Sequence, residues 1–171
     1  FRHSRYAPLI KFLFTTGCRP SEAVALEWKH IARDFRMITF EQILIRTKSG
    51  MKIRKGLKTQ ERRKFPCNDS LKTMLKDIKP QKATSEDLVF PSPENKSIDL
   101  NNFRNRTWKK VLKGLDIEYR KLYQTRHTFI THALEVGKLD AKDVARLVGN
   151  SPEVIYQHYA GNKRELFVPE F

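Results

Sequence analysis

The amino-acid sequence predicts a mainly α-helical domain with a small antiparallel β-sheet, an α+β fold. Over most of the chain, apolar residues recur at the three-to-four-residue spacing of amphipathic helices. Residues 37–68 differ, because they are rich in Ile, Thr and Phe and carry two glycines among interleaved charges, as strands and turns do. With 171 residues, of which 39% are hydrophobic, the chain suits a single domain over residues 1–171, with residues 160–171 as a C-terminal tail.

Positive charge is the strongest feature of the composition. Thirty-four Lys and Arg residues against nineteen Asp and Glu give a net charge of +15. Such an excess favours a polyanionic partner, most often nucleic acid, because bound cations release the counterions condensed on phosphates. No apolar run is long enough to cross a membrane, which argues against a membrane partner.

The two cysteines and the start of the chain set its context. Cys18 and Cys67 form no CxxC pair, so we expect neither a disulfide framework nor a zinc site, and a reducing compartment. Phe1 begins the chain without an initiator Met or a signal-like segment. We therefore expect a piece of a longer protein, with a further domain before it.

The first two helices are predicted to meet at Arg19. Apolar residues from Tyr6 to Phe14 follow the i, i+3, i+4, i+7, i+8 pattern of a helix that ends near Gly17. Pro20 suits the first turn of a second helix, which the pattern extends over residues 20–31. A side chain at such a junction can be held rigidly and still face outwards.

The sheet is predicted to carry a cationic surface. Residues 37–48 read as a strand, and residues 49–68 as the rest of a small sheet with exposed turns. Lysines on an edge strand can simply prevent aggregation, which is the alternative interpretation. The density of cations in this region suits a surface that lies against phosphates. The candidate DNA-binding residues are Arg46, Lys48, Lys52, Arg54, Arg62 and Arg63.

Helices return after the sheet. Residues 69–79 and 99–115 each open with an Asp that can cap a helix, and the proline-rich residues 80–97 between them predict an irregular loop. The remaining helices are expected from Tyr119 to Val136, over residues 140–149, and after a capping Ser151 with Pro152 in the first position.

Three stretches carry a family resemblance: TGCRPSEAVALEW, YQTRHTFITH and LVGNSPEVIYQHYAG, with KTQERRKFP between the first two. In this order they resemble the catalytic domain of the tyrosine recombinases, the phage-type integrase family, from about Tyr6 to Tyr159. The resemblance implies that family's catalytic-domain fold and a DNA strand-exchange activity. Carried over motif by motif, it implies the catalytic residues Arg19, Lys58, Tyr123, Arg126, Asn150 and Tyr159.

Each implied role fits the chemistry of the side chain. Arg19 and Arg126 can each offer a phosphate two N–H donors in a fixed fork, and Lys58 can protonate the departing 5′-oxygen. Tyr159, nine residues after the LVGN box, is the implied nucleophile, whereas Tyr156 is expected to pack. Exchange of one phosphoester for another keeps the bond energy, so no metal, ATP or small-molecule cofactor is expected. Within the strand, Lys48 and Lys55 are alternatives to Lys58.

Two positions depart from the family pattern. Tyr123 and Asn150 stand where the family has histidines, and neither side chain is a good proton acceptor near neutral pH. We therefore expect phosphate binding to be kept and general-base help to Tyr159 to be weakened. His127, His132 and His158 are not expected to substitute. Glu22, one helical turn after Arg19, is expected to orient that arginine.

The resemblance also implies partners and a setting. The expected partner is double-stranded DNA, with self-assembly into a tetramer on DNA, in the cytoplasm of a bacterium, at its nucleoid, in the context of a phage or other mobile element. Two alternatives share the fold or the chemistry. One is a non-catalytic DNA-binding protein that has kept the fold, and the other is a type IB topoisomerase-like nicking enzyme.

Overall fold

The computed structural model describes residues 4–58, 62–137 and 139–159, and the predicted tail lies outside these ranges. It confirms a mainly helical domain with a small antiparallel sheet. The strands are β1 (Met37–Phe40), β2 (Gln42–Thr47), β3 (Gly50–Lys55) and β4 (Arg63–Pro66). The helices are α1 (Ala7–Thr16), α2 (Pro20–Ala23), α3 (Asp69–Ile78), α4 (Leu100–Phe103), α5 (Lys109–Gly114), α6 (Gln124–Glu135), α7 (Ala141–Val148) and α8 (Pro152–Tyr159).

Helix α1 ends at Gly17, as predicted, for two physical reasons. Gly17 has a φ of 58°, in the left-handed region that glycine adopts without strain. A Cβ atom there would also lie 2.4 Å from the ring of Phe129, which packs over the bare backbone. The turn after α1 is thereby held close against α6.

The predicted second helix over residues 20–31 is wrong beyond its first turn. Only Pro20–Ala23 is α-helical, and Trp28–His30 forms a short 3-10 turn. The backbone between them bonds to other parts of the chain, because Leu26 accepts a hydrogen bond from the amide of Val89 and Ala25 accepts one from Gln42. These tertiary bonds replace the i to i−4 bonds of a helix.

The sheet consists of two antiparallel ladders. Strand β1 pairs with β4, from Met37 opposite Pro66 to Phe40 opposite Arg63. Strands β2 and β3 form a hairpin, with Gln42 opposite Lys55 at its base and Thr47 opposite Gly50 at its tip. The single strand predicted over residues 37–48 is therefore divided at Glu41, and the hairpin extends its cations away from the core.

Two further boundaries differ from the prediction. Asn68, and not Asp69, caps α3, since its side chain accepts a hydrogen bond from the amide of Leu71. Helix α6 begins at Gln124 and not at Tyr119. The indole of Trp108 donates to the carbonyl of Arg120 at 2.7 Å, which holds the segment before α6 out of the helix.

Other predicted features are confirmed. Asp99 caps α4, Asp140 caps α7, and the hydroxyl of Ser151 accepts a hydrogen bond in the first turn of α8. The loop over residues 80–97 has no helix and no strand longer than an isolated bridge. A short π-helical segment, Arg104–Trp108, joins α4 to α5.

The buried apolar residues form a large cluster around α1 and the sheet and a smaller one among α6, α7 and α8. Phe129 of α6 contacts both clusters, so α6 joins the two. Cys18 and Cys67 are free thiols, and burial raises the pKa of Cys18 to about 12, which keeps it an unreactive thiol. None of the helices in the described part of the chain has the length and apolar character needed to cross a bilayer.

Candidate active site

Arg126 lies at the boundary between the two apolar clusters, with 1% of its surface exposed. Its Nη1 donates to the carbonyl of Gly17 at 2.9 Å and to that of Val148 at 2.5 Å. Its Nη2 is buried and has no hydrogen-bond partner within residues 4–58, 62–137 and 139–159. This nitrogen of the guanidinium therefore has no acceptor among the described residues and can bind one from outside them.

Arg19 reaches the same turn from the other side. Its Nη2 donates to the carbonyl of Gly149 at 2.9 Å, next to the Val148 carbonyl that Arg126 holds. Helix α7 ends there, with Gly149 in the left-handed conformation at a φ of 68°. The last carbonyls of a helix lack partners within it and carry its negative pole, which explains why two cations meet at this turn.

Glu22 binds Arg19 and connects it to a second cation, Arg63. Its Oε1 accepts from Arg19 Nη1 at 2.9 Å, and its Oε2 accepts from Arg63 Nη2 at 2.7 Å. Burial alone would raise the pKa of Glu22, but the charge of Arg63 and hydrogen bonds from Arg63 and Arg19 hold it below its ordinary value. Glu22 therefore stays ionised, in the orienting position predicted for it.

Arg63 is in the wrong place for the predicted DNA contact. Its side chain is 3% exposed and pairs with Glu22, and its guanidinium carbon lies 4.6 Å from the ring centre of Phe40. In β4 the residues alternate between buried and exposed, and Arg63 falls on the buried face. The sequence showed only a run of cations, without indicating which of them faces inwards.

The other predicted DNA-binding cations lie on the surface. Arg46 alone among them makes an ion pair within the described ranges, with Asp99 at 2.7 Å. The alternation of the hairpin leaves most of β3 in solvent. The exposed members of the set are Arg46, Lys48, Lys52, Arg54 and Arg62.

The two arginines form a site that favours an anion. Burial lowers the pKa of Arg126, and the like charge of Arg19 adds to this effect while Tyr123 opposes it. A guanidinium nevertheless stays charged near neutral pH. Bringing a phosphate to the free Nη2 would relieve both the lost hydration and the repulsion.

Tyr159 ends α8 and turns its hydroxyl to the site. Ile155, one turn earlier, is fully buried and anchors the helix against α6 and α7. The hydroxyl of Tyr159 is hydrogen-bonded to Nδ1 of His127, and the two rings lie 5.5 Å apart between centres. Tyr156 is 55% exposed, so the expectation that it packs is wrong: on α8 only the face of Ile155 and Tyr159 meets the protein.

Burial raises the pKa of Tyr159, with the neighbouring Tyr123 adding to the rise and Arg126 opposing it. The resting side chain is therefore a neutral phenol that must lose its proton to act as a nucleophile.

His127, which was not expected from the sequence to take part, contacts the candidate nucleophile. It lies between Tyr123 and Tyr159, with its ring centre 5.4 Å from that of Tyr123. Burial lowers its pKa below 6.5, and the charges of Arg126 and His158 lower it further, so the ring is neutral at neutral pH. The i, i+4 spacing from Tyr123 on one helix was the signal that could have found it.

The other predicted catalytic residues, Tyr123, Asn150 and Lys58, have fewer contacts with the arginines and Tyr159. The Arg126 guanidinium carbon lies 6.0 Å from the ring centre of Tyr123, whose side chain is 41% exposed. Asn150 lines a surface pocket of about 450 Å³ next to the turn of α7. Lys58 is exposed, and no hydrogen bond among the described residues joins it, or the Asn150 side chain, to Arg19, Arg126 or Tyr159.

The arrangement therefore combines an anion site with an oxygen nucleophile. The guanidiniums of Arg19 and Arg126 can hold a phosphate, and the charge of Arg126 favours the ionised form of the Tyr159 hydroxyl. Within the described ranges, no three His, Cys, Asp or Glu side chains are grouped as ligands for a metal ion.

Residues 2–165 match the phage integrase family. The chain is 32% identical to the tyrosine recombinase XerC-like protein of Caldanaerobacter subterraneus subsp. tengcongensis, over 86% of this chain and 43% of that protein. It is 29% identical to tyrosine recombinase XerD of Vibrio vulnificus, over 89% of this chain and 48% of that protein. The chain thus spans a little under half the length of these relatives.

Solved structures share the fold. The Tn1549 transposon integrase in complex with transposon right end DNA matches with a TM-score of 0.76 at 20% identity, over 93% of this chain and 55% of that one. The XerH site-specific recombinase bound to difH matches with a TM-score of 0.60 at 22% identity, over 91% and 43%. The predicted catalytic-domain fold is confirmed, and the match over residues 2–165 shows that this chain belongs to the phage integrase family, the tyrosine recombinases.

Proposed function

We propose that this chain is the catalytic domain of a site-specific DNA recombinase that cleaves and rejoins strands through a 3′-phosphotyrosyl intermediate. The observation that carries the proposal is the convergence of Arg19 and Arg126 on adjacent carbonyls at the end of α7, with one buried guanidinium donor left open. Tyr159, on the following helix, supplies the nucleophile within the field of Arg126.

The proposed roles follow from where charge develops. Attack of the Tyr159 oxygen on phosphorus builds negative charge on the non-bridging oxygens of a pentacoordinate transition state. The guanidiniums of Arg19 and Arg126 can stabilise that charge without reorganising, because both are already held in place. The groups that hold them are the carbonyls of Gly17, Val148 and Gly149 and the carboxylate of Glu22. Since one phosphoester replaces another, we propose that the reaction needs neither a metal ion nor ATP.

Double-stranded DNA is the proposed substrate, and a tetramer assembled on DNA the proposed working form. Both relatives named above are bacterial recombinases, which supports a role at bacterial, phage or mobile-element DNA in the nucleoid. The net charge of +15 and the exposed cations of the hairpin suit that partner.

A nicked suicide substrate tests the proposal. A DNA duplex spanning the ends that flank the gene, nicked near the cleavage site, should trap a covalent protein–DNA adduct that runs as a shifted band on a denaturing gel. Binding without adduct would favour the non-catalytic DNA-binding alternative. Adduct formation with relaxation of supercoiled DNA, but no exchange between two duplexes, would favour the topoisomerase-like alternative.

DNA binding is expected to depend strongly on salt. Each phosphate neutralised contributes a slope of about −0.9 to a plot of log affinity against log salt. Replacing Lys52 and Arg54 of the hairpin with Ala should reduce the magnitude of that slope by about 2. Titrations by fluorescence anisotropy between 50 and 200 mM salt would measure it.

The matched control replaces two exposed lysines outside the hairpin, Lys76 on α3 and Lys82 in the loop after it. This double variant removes the same charge and should leave the slope nearly unchanged. If both double variants lower the slope equally, the hairpin is not the DNA-binding surface.

Lys58 is proposed as the acid that protonates the departing 5′-oxygen. Lys58→Ala should slow single-turnover cleavage more than it weakens DNA binding, because the proton is needed only in the transition state. A substrate with sulfur in the 5′-bridging position has a leaving group that departs without the proton, and it should restore the rate. The control is Lys48→Ala, and rescue of that variant in place of Lys58→Ala would assign the acid to Lys48.

A further inference from the structure

We infer that His127 is the general base of this site, taking the proton of Tyr159 as the tyrosine oxygen attacks phosphorus. The inference rests on the proposed function, and it assigns to His127 the role that the departure at Tyr123 leaves open. The hydrogen bond between the Tyr159 hydroxyl and His127 Nδ1 carries it.

Proton removal requires one direction of this contact. The Tyr159 O–H donates to Nδ1 of His127 in the tautomer that carries its ring proton on Nε2, and we assign that tautomer to His127. Both residues are only half-buried, and their helices are held together by Ile130 of α6 and Ile155 of α8 in the smaller apolar cluster. The acceptor is therefore in place before substrate binds, as a general base requires.

The charged and titratable groups around His127 keep it able to accept. On its own helix they are Arg126 and Tyr123, and on α8 they are Tyr159 and His158. Burial disfavours an imidazolium at His127, and so do Arg126 and His158. The imidazole of His127 is consequently neutral near neutral pH, with one nitrogen able to accept the proton of the tyrosine.

The step balances in both directions. In cleavage, the Tyr159 O–H proton moves to His127 Nδ1, the tyrosine oxygen forms a bond to phosphorus, and the P–O5′ bond breaks. The 5′-oxygen takes a proton from the proposed acid, Lys58. In rejoining, the 5′-hydroxyl gives its proton to Lys58 as it attacks phosphorus, the bond from phosphorus to the tyrosine oxygen breaks, and His127 returns its proton to that oxygen.

Tyr123 then has a positioning role. Its ring contacts the His127 ring edge-on from the residue that directly precedes α6. A histidine at position 123 is not required for proton removal if His127 carries it, which accounts for a tyrosine there in a working site.

The test compares His127→Asn with the parent protein in single-turnover cleavage of the nicked substrate from pH 5 to 9. Asn can keep a hydrogen bond to Tyr159 but cannot take its proton. We expect the rate at pH 7 to fall about 10²-fold or more, with DNA affinity unchanged. The parent rate should fall in acid below pH 6.5, where His127 becomes protonated, and the variant should lack that step.

Two additions separate a base from a merely structural side chain. Fluorinated tyrosine at position 159, which has a more acidic phenol, should restore much of the rate of His127→Asn. The matched control His132→Asn changes an exposed histidine of the same helix and should behave like the parent. Thermal unfolding of each variant checks that the fold is kept.

Three outcomes would overturn the inference. The first is a parent-like rate and pH profile for His127→Asn. The second is a loss that is equal at every pH and is not restored by the fluorinated tyrosine, which would make His127 a positioning residue only. The third is a pH profile in which the fall of the cleavage rate in acid disappears in His158→Asn and persists in His127→Asn. Absence of any adduct with the parent protein would instead refute the proposed function itself.

Discussion

Replacing Tyr159 with Phe is expected to abolish covalent capture of DNA while leaving DNA binding nearly intact. The change removes one oxygen atom, the one that would form the phosphoester, and keeps the ring that packs against the smaller apolar cluster and His127. Without that oxygen no covalent intermediate can form, so the adduct should fall to background on a denaturing gel. Affinity for the same DNA, measured by gel shift, should stay within about two-fold, because the cations and the guanidiniums are untouched.

Tyr156 provides the matched control. It lies on the same helix, three residues earlier, and it is 55% exposed. Tyr156→Phe removes the same atom and should form adduct at the parent rate. Mapping of the adduct to Tyr156, or undiminished adduct from Tyr159→Phe, would show that the nucleophile is misassigned.

Replacing Glu22 with Gln is expected to cause the largest loss of stability among the site residues. Glu22 is 1% exposed, and its carboxylate neutralises the buried guanidinium of Arg63 and holds Arg19. Removing one partner of a buried ion pair leaves the other charge without compensation, which costs up to about 3–5 kcal/mol. Urea unfolding at pH 7, followed by circular dichroism, would measure the free energy of unfolding.

The pH dependence of that difference has a definite sign. The folded-state pKa of Glu22 lies below its ordinary value of 4.5, so its contribution is complete above that value. The contribution is lost as the pH falls through the lowered folded-state pKa, because the carboxylate is then protonated in both states. The stability difference between the parent and Glu22→Gln should therefore shrink in acid.

Glu86→Gln is the control for Glu22→Gln. Glu86 pairs with Lys29 on the surface, where water and salt screen the charges, so its replacement should cause no large change. Equal losses for the two variants would mean that the Glu22–Arg63 pair is not buried in solution.

The sequence predicted correctly those helix ends and caps that depend on only a few neighbouring residues. Gly17 ends α1, Asp99 and Asp140 cap their helices, and Ser151 with Pro152 opens α8, because caps and turns depend on neighbouring backbone groups. The second helix failed for the opposite reason. Its sequence is helical in pattern, but its carbonyls bond to Gln42 and Val89 from distant parts of the chain.

The candidate site shows the same division. The order of the motifs in the sequence by itself determined the family, and it made the two arginines and Tyr159 the candidates for the site, since each is recognised within a short window. Only the tertiary structure decided that Arg63 faces Glu22, 41 residues away, and that His127 faces Tyr159, 32 residues away. Whether a cation binds DNA or a buried carboxylate, and whether a histidine meets solvent or a phenol, depends on packing between elements, which a linear pattern of charges does not encode.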